Sequence, residues 1–226
     1  VVVQQTIVPT IIVQARTGST RVPGKVLLPL LGEQTVLDVV LRRCRRVYGA
    51  QVILAVPYAD VDTLRYIAKR HDADFFVGSE YDVLGRYYDA AHVFALNEPI
   101  VRITSDCPLV SPALINYAVE SFIGVDYASN CHPERTVPKG FDIEVFSQDV
   151  LRMAHFFAGT MQREHVTTWM HSCAKVRIRT LSGTGVFTDD NLSIDTEEDY
   201  KRVRGIFEHF NNDTFEWNDV RDYYQR

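Results

Sequence analysis

VQARTGSTRVPGKVLL, residues 13–28, joins the end of a β-branched apolar run, TIIVQA (10–15), to a loop carrying Arg16, Arg21 and Lys25 between two glycines. A short, almost wholly apolar run of this kind is the pattern of a strand buried on both faces. The loop then lies at the carboxyl end of that strand, where open α/β sheets place their ligands. Gly18 and Gly24 permit unusual backbone angles and close approach of main-chain N–H groups to an anion. Arginine offers a fork of donors and lysine a point charge. The spacing is not that of the P-loop G-x-x-x-x-G-K-[ST]: five residues separate the glycines, and Val26 follows Lys25. On spacing alone, a polyphosphate cradle and a solvated basic turn both fit.

Downstream, strands and helices alternate. Thr35 is placed to cap a helix through VLDVVLRRCRRVY, with Val36, Val39, Val40 and Val47 on one face and Arg42, Arg45 and Arg46 largely on the other. QVILAV (51–56) reads as the next buried strand, DVDTLRYIAKRH as an amphipathic helix, and DFFV (74–77) as a brief strand ended by Gly78. A helix over 82–96 and a strand PIVRIT (99–104) follow. Apolar strands separated by helices predict a mostly parallel, helix-flanked sheet. After about Asp126 the rhythm changes. VDYAS, FDIEVF, KVRIRT and NLSID look like strands, and helices are expected near 147–157, 161–172 and 196–210, so mixed pairing enters. No repeat, low-complexity tract or linker divides the chain. The expectation is a single domain over 1–226, with a core of about 10–207 and an aromatic tail, 208–226, that packs as a terminal helix or against a partner subunit.

The bulk numbers bound the function. A chain of 226 residues, 46% hydrophobic and 23% charged, has ample apolar material for a core. Its net charge of −5 argues against a nucleic-acid partner. No apolar run reaches the roughly 20 residues a membrane-spanning helix needs, and VVVQQTIVPTIIV lacks the basic start and cleavage site of a signal peptide. Cys44, Cys107, Cys131 and Cys173 form no C-x-x-C pair and suit reduced thiols in the cytoplasm.

Two aspartates stand at strand ends. Asp106, in VRITSDCPLVSP, follows the strand ending at Thr104, and is either a magnesium ligand or a turn aspartate bonding its own backbone before Pro108. Asp195 sits where NLSI meets a helix capped by Thr196, with Asp199 at the capping-box position, and is a candidate second ligand. In GFDIEVF, Asp142 and Glu144 are expected on one strand face that could meet a substrate. Arg163, Glu164 and His165 cluster at the start of a helical segment; His171 lies too far round a regular helix to share a metal with His165. There is no G-x-S-x-G for a serine nucleophile.

Taken together, IIVQARTGSTRVPGKVLLPLLG, GSEYDVLGRYYDAA, VRITSDCPLVSP, GFDIEVFS, REHVT and IDTEEDYKRV resemble, in order, the motifs of SpsF-type cytidylyltransferases, relatives of the CMP-Kdo and CMP-sialic acid synthetases. The resemblance spans about residues 10–207. It implies a single GT-A-like (Rossmann-like) α/β domain with a mixed, mostly parallel central sheet flanked by helices. It also implies transfer of CMP from CTP to an acidic sugar or similar acceptor, with release of pyrophosphate. By the resemblance, Arg16, Lys25 and Asp106 are catalytic. Arg16, Ser19, Arg21 and Lys25 hold the triphosphate on a loop shaped by Gly18 and Gly24, with Gln14, Ala15, Thr17 and Ser105 completing the nucleotide site. Gly78, Asp82, Leu84 and Arg86 match the base pocket, Asp106 and Asp195 hold Mg²⁺, and Asp142, Glu144, Glu164 and His165 face the acceptor. A homodimer is the implied assembly. The competing expectations are a GT-A glycosyltransferase, whose D-x-D motif is absent at SDCP, and a nucleotide- or sugar-binding module without turnover.

Overall fold

The structure, a computed structural model, describes residues 7–94, 97–183 and 185–226. Residues 1–6 of the leading apolar stretch and 95–96 at the end of the expected 82–96 helix lie outside the described residues. The chain runs through β1 (Thr10–Gln14), a hairpin of β2 (Pro29–Leu31) and β3 (Gln34–Thr35), α1 (Val36–Cys44), β4 (Gln51–Pro57), α2 (Val61–Arg70) and β5 (Asp74–Gly78). It continues with α3 (Val83–Phe94), β6 (Ile100–Thr104), α4 (Pro112–Glu120), β7 (Tyr127–Ser129), β8 (Glu144–Phe146), α5 (Gln148–Phe157) and α6 (Thr168–Ser172). Strand β9 (Ile178–Thr180) and helices α7 (Glu197–Phe210) and α8 (Trp217–Tyr224) complete it.

One sheet of order β5-β4-β1-β6-β8-β7-β9 organises the molecule. Strands β5, β4, β1 and β6 are parallel, with Gln14 level with Ala55 on one side and Thr104 on the other. Their carboxyl ends therefore open along one rim. Strand β8 runs antiparallel to both β6 and β7, which is the mixed pairing expected after Asp126. Alternate strand residues feed two apolar layers, as the two-residue period of a strand requires. Ile11, Val13, Val101 and Ile103 meet α1, α2, α4, α7 and α8, while Ile12, Ile53 and Ile100 meet α3, α5 and α6.

Local chemistry sets the helix starts. Thr35 and Asp38 exchange capping-box hydrogen bonds at α1, and Thr196 and Asp199 do so at α7. The buried Asp38 carboxylate also accepts from Arg70 and lies 2.6 Å from His71 Nε2. Arg43, two turns after Val36 and so on the apolar face of α1, is fully buried. Its guanidinium donates to the carbonyls of Val110 (2.6 Å), Asp213 (2.7 Å) and Phe215 (2.9 Å). This stitches the aromatic tail to the domain, with Phe215 and Val220 entering the core.

Two local expectations change, and one element is added. NLSID forms no strand; it is an irregular segment pinned by side-chain hydrogen bonds of Asn191 and Ser193. Residues 161–172 are not one helix: a 3₁₀ turn (Thr160–Gln162) and α6 flank an irregular stretch in which Val166 takes a positive φ of 52°. The β2–β3 hairpin was not anticipated. No described helix is long and apolar enough to cross a membrane.

Candidate active site

The basic loop is built from both ends. Thr17 donates its N–H (2.8 Å) and hydroxyl (2.5 Å) to the buried carboxylate of Asp60, and the Gly24 N–H returns to the Thr17 carbonyl at 3.1 Å. Gly24 has φ +64°, a left-handed turn that disfavours a β-carbon, and it starts a 3₁₀ turn over Lys25–Leu27 whose Val26 is buried. Lys25 is thereby aimed back across the rim of the sheet.

It meets two carboxylates from distant parts of the chain. Lys25 Nζ lies 2.7 Å from Asp106 Oδ2 and 3.5 Å from Asp195 Oδ1, and donates to the Ile194 carbonyl at 2.6 Å. Backbone geometry enforces the meeting, since the Ile194 N–H donates to the Asp106 carbonyl at 2.8 Å. The Leu192 N–H likewise donates to the Lys139 carbonyl at 2.9 Å. Gly140, at φ +109°, makes that approach possible, because a β-carbon there would stand 2.4 Å from the Leu192 carbonyl carbon. Arg21 (3.1 Å) and Lys139 (2.6 Å) also pair with Asp195. Burial works to raise the Asp195 pKa, but the Lys139 hydrogen bond and charge, with Lys25 and Asn191, outweigh it and hold the carboxyl well below the usual range. Asp195 is thus an anion ready to take a cation.

These groups border a cavity of about 620 Å³ along the strand ends. Of the residues expected in the site, Gln14, Ala15, Arg16, Gly18, Ser19, Arg21, Lys25, Arg86, Ser105, Asp106, Glu164, His165 and Asp195 line it. Others stand behind the wall. Thr17 anchors the loop, Leu84 is wholly buried, and Gly78 backs the Arg86 side chain. Asp82 receives a two-pronged contact from Arg163, 2.8 Å to each oxygen, and the Gly85 N–H at 2.7 Å. Burial would raise its pKa, yet the Arg163 hydrogen bonds prevail and lower it. Asp82 therefore fixes the loop that carries Glu164 and His165 to the cavity. Arg86 is 3% exposed, donates to the Ser79 carbonyl at 3.1 Å, and keeps a buried Nε with no partner among the described residues.

Asp142 and Glu144 do not share a face open to the cavity. Only Glu144–Phe146 pairs as a strand; Asp142 precedes it and is gripped by Arg135 at 2.5 and 3.0 Å. Glu144 is 5% exposed and turns under the sheet, where it accepts from Arg102, Tyr127 (2.6 Å) and Thr167 (2.7 Å). Burial would raise its pKa; the Arg102 charge and hydrogen bonds from His171, Tyr127 and Thr167 overcome that and keep it ionised. Sequence reasoning missed Asp60, Lys139 and Arg102. Arg102 had a signal, a lone charge inside the apolar run PIVRIT. Lys139 had none, because its partner lies 56 residues away.

The cytidylyltransferase family pattern matches residues 10–170 of this chain. The spore coat polysaccharide biosynthesis protein SpsF of Bacillus subtilis is 31% identical over 208 residues, 87% of this chain and 85% of that protein. The 3-deoxy-manno-octulosonate cytidylyltransferase of Trichlorobacter lovleyi is 32% identical over 118 residues, half of this chain and 44% of that enzyme. A cytidylyltransferase structure from Leptospira borgpetersenii superposes with a TM-score of 0.90 at 30% identity, covering 96% of this chain and 93% of that one. The family match over the loop, the sheet and Asp106, together with the shared fold, decides the matter: the chain belongs to the cytidylyltransferase family, the SpsF-type nucleotidyltransferases its motifs resemble.

Proposed function

We propose that this cytidylyltransferase transfers CMP from CTP to a small sugar acid or chemically similar acceptor, with Mg²⁺ held by Asp106 and Asp195. The observation that carries the proposal is the Lys25 ammonium lodged between those two carboxylates at the rim of the cavity. The ammonium marks a position whose field favours a cation, and a metal ion would take its place between the two carboxylates. The donors are hard oxygens, as magnesium prefers, and no group of three or more metal-binding side chains occurs among the described residues. Magnesium accepts that arrangement, since it is commonly bound by one or two carboxylates plus water and substrate phosphates. When bound, the ion would supply Lewis-acid polarisation of the phosphoryl oxygens.

The protein's own groups divide the remaining work. The acceptor hydroxyl attacks the α-phosphorus of CTP; the bond from that phosphorus to the bridging oxygen breaks, and pyrophosphate departs as the hydroxyl proton passes to solvent. Catalysis of this kind is mostly positioning and charge stabilisation. Arg16, Arg21 and Lys25 face the triphosphate and stabilise the charge that builds on pyrophosphate. Arg86, which lines the cavity, supplies a donor to the base. Glu164 and His165 close the acceptor side.

The test is pyrophosphate release from CTP, UTP, GTP and ATP against a panel of sugar acids, polyol phosphates and neutral sugars. CTP with an acidic acceptor is expected to release pyrophosphate only with a divalent cation present, and Asp106→Asn is expected to abolish that release without unfolding the protein. Release from CTP that is indifferent to Asp106→Asn and to chelation would refute the assignment.

A further inference from the structure

We propose that Arg102 is the specificity-determining residue for the acceptor, reading an anionic oxygen group on it through its free guanidinium nitrogen, with Glu144, Tyr127 and His171 as positioning residues behind it. The proposal deepens the acceptor reading above and rests on it.

Arg102 lies in the middle of β6 and lines the cavity. Its Nε donates to Gln14 Oε1 at 3.1 Å, and its Nη1 donates to Glu144, its cross-strand partner on β8. Nη2 has no partner among the described residues, which leaves two N–H donors beside the cavity. The guanidinium is held rigidly. Glu144 is fixed in turn by the Tyr127 hydroxyl at 2.6 Å and the Thr167 hydroxyl at 2.7 Å, while His171 Nε2 lies 2.8 Å from that tyrosine oxygen and 3.4 Å from the carboxylate. His132 stacks on His171 with ring centres 3.6 Å apart.

Such a buried ionic network is costly for folding, since apolar side chains of the same volume would serve stability as well or better. What it supplies is an oriented cation on a cavity wall. Glu144 is shared among several donors, so its charge is only partly spent on Arg102. The outward nitrogen therefore retains affinity for a second anion, and donors held this way lose little freedom on binding.

Position assigns that anion to the acceptor rather than to CTP. Arg16, Glu80 and Arg86, which border the nucleotide half, belong to β1, β5 and their following segments on one side of the sheet. Arg102 lies across β1 from them, beside β8. It shares a strand face with Thr104, one two-residue step of roughly 6.6 Å away, and Asp106 follows just beyond. An acceptor whose hydroxyl approaches the phosphate held near Asp106 would extend its anionic group over Arg102.

The experiment compares matched acceptors in the pyrophosphate-release assay at saturating CTP: 3-deoxy-manno-octulosonate, the same sugar with its carboxylate reduced to an alcohol, and polyol phosphates with their free polyols. Wild type, Arg102→Met, Arg102→Lys and Glu144→Gln are assayed, with CTP affinity and thermal unfolding measured for each. The expected result is preference for the anionic member of a pair by roughly 10- to 100-fold in kcat/KM, the scale of one charge-assisted hydrogen bond. Arg102→Met should erase that preference through acceptor KM, while any change in CTP affinity from the lost Gln14 contact falls equally on both members of a pair. Arg102→Lys should restore part of it, and Glu144→Gln should weaken it without touching CTP. Which pair shows the preference distinguishes a carboxylate from a phosphate. Turnover without discrimination in wild type, or discrimination that survives Arg102→Met, overturns the role of Arg102 alone. CTP binding with no release from any acceptor overturns the acceptor reading and this proposal with it.

Discussion

Replacing Lys25 by methionine should move two observables in opposite directions. The ammonium stands 2.7 Å from Asp106 and 3.5 Å from Asp195. Even at the screening of bulk water, Coulomb's law assigns about 1.5 and about 1.2 kcal/mol to these attractions. The side chains are only 13%, 26% and 15% exposed, so bulk screening understates them. A metal ion arriving without nucleotide must displace that ammonium. The rotamer entropy the freed lysine regains offsets about 1 kcal/mol of the cost. Removing the ammonium should therefore tighten binding of Mn²⁺ to the nucleotide-free protein by between about 10- and 100-fold, while turnover falls by at least about 100-fold through loss of a charge that stabilises the leaving pyrophosphate. Free Mn²⁺ measured by electron paramagnetic resonance during titration, alongside pyrophosphate release, reads both. Lys25→Met/Asp106→Asn should lose the gain in metal affinity. A folded Lys25→Met protein whose Mn²⁺ affinity is unchanged or weaker would refute the reasoning that Lys25 stands where the cation binds.

Two further outcomes concern the scaffold. Arg43→Met should destabilise the protein by about 3 kcal/mol, since it removes three buried hydrogen bonds to carbonyls at about 1 kcal/mol each, the Asp213 carbonyl alone keeping a further donor in Arg46, and urea unfolding should show it as a lower midpoint. An unshifted midpoint would mean that the tail is held by its aromatic contacts alone. The Asp38 carboxyl is held below its ordinary value of 3.8: burial opposes this, and the hydrogen bonds from His71, Thr35 and Arg70 prevail. A depressed carboxyl pKa stabilises the fold fully above the unfolded value and loses that contribution as pH falls through the folded one. Between pH 6 and about pH 3, wild type should therefore lose more unfolding free energy than Asp38→Asn, and parallel pH profiles would contradict the coupling.

Glu144 and Arg102 illustrate why part of the site was hidden from sequence reading. Alternation along FDIEVF correctly puts Glu144 on a defined face of a strand, but the partner of that face decides whether it sees solvent or a buried guanidinium. That partner is 42 residues away in the chain. The irregular NLSID segment teaches the same lesson from the other side. Its apolar residues Leu192 and Ile194 are buried as a strand's would be, yet the segment joins no strand ladder among the described residues and is held by Asn191, Ser193 and single backbone bonds to Lys139 and Asp106.

Sequence alone determined what depends on neighbours a few residues apart. The apolar runs that become parallel strands, the cap at Thr35, the capping box at Thr196, and the cation-rich turn after β1 were all legible because periodicity and capping are local chemistry. Tertiary structure decided the rest. It brought Asp106, Asp195 and Lys25 to one point, buried Arg43, turned Glu144 inward and set Arg102 on the cavity wall. The physical reason is that a charged side chain takes its role from the dielectric and the counter-charges around it, and those are supplied by segments that only the folded chain brings together.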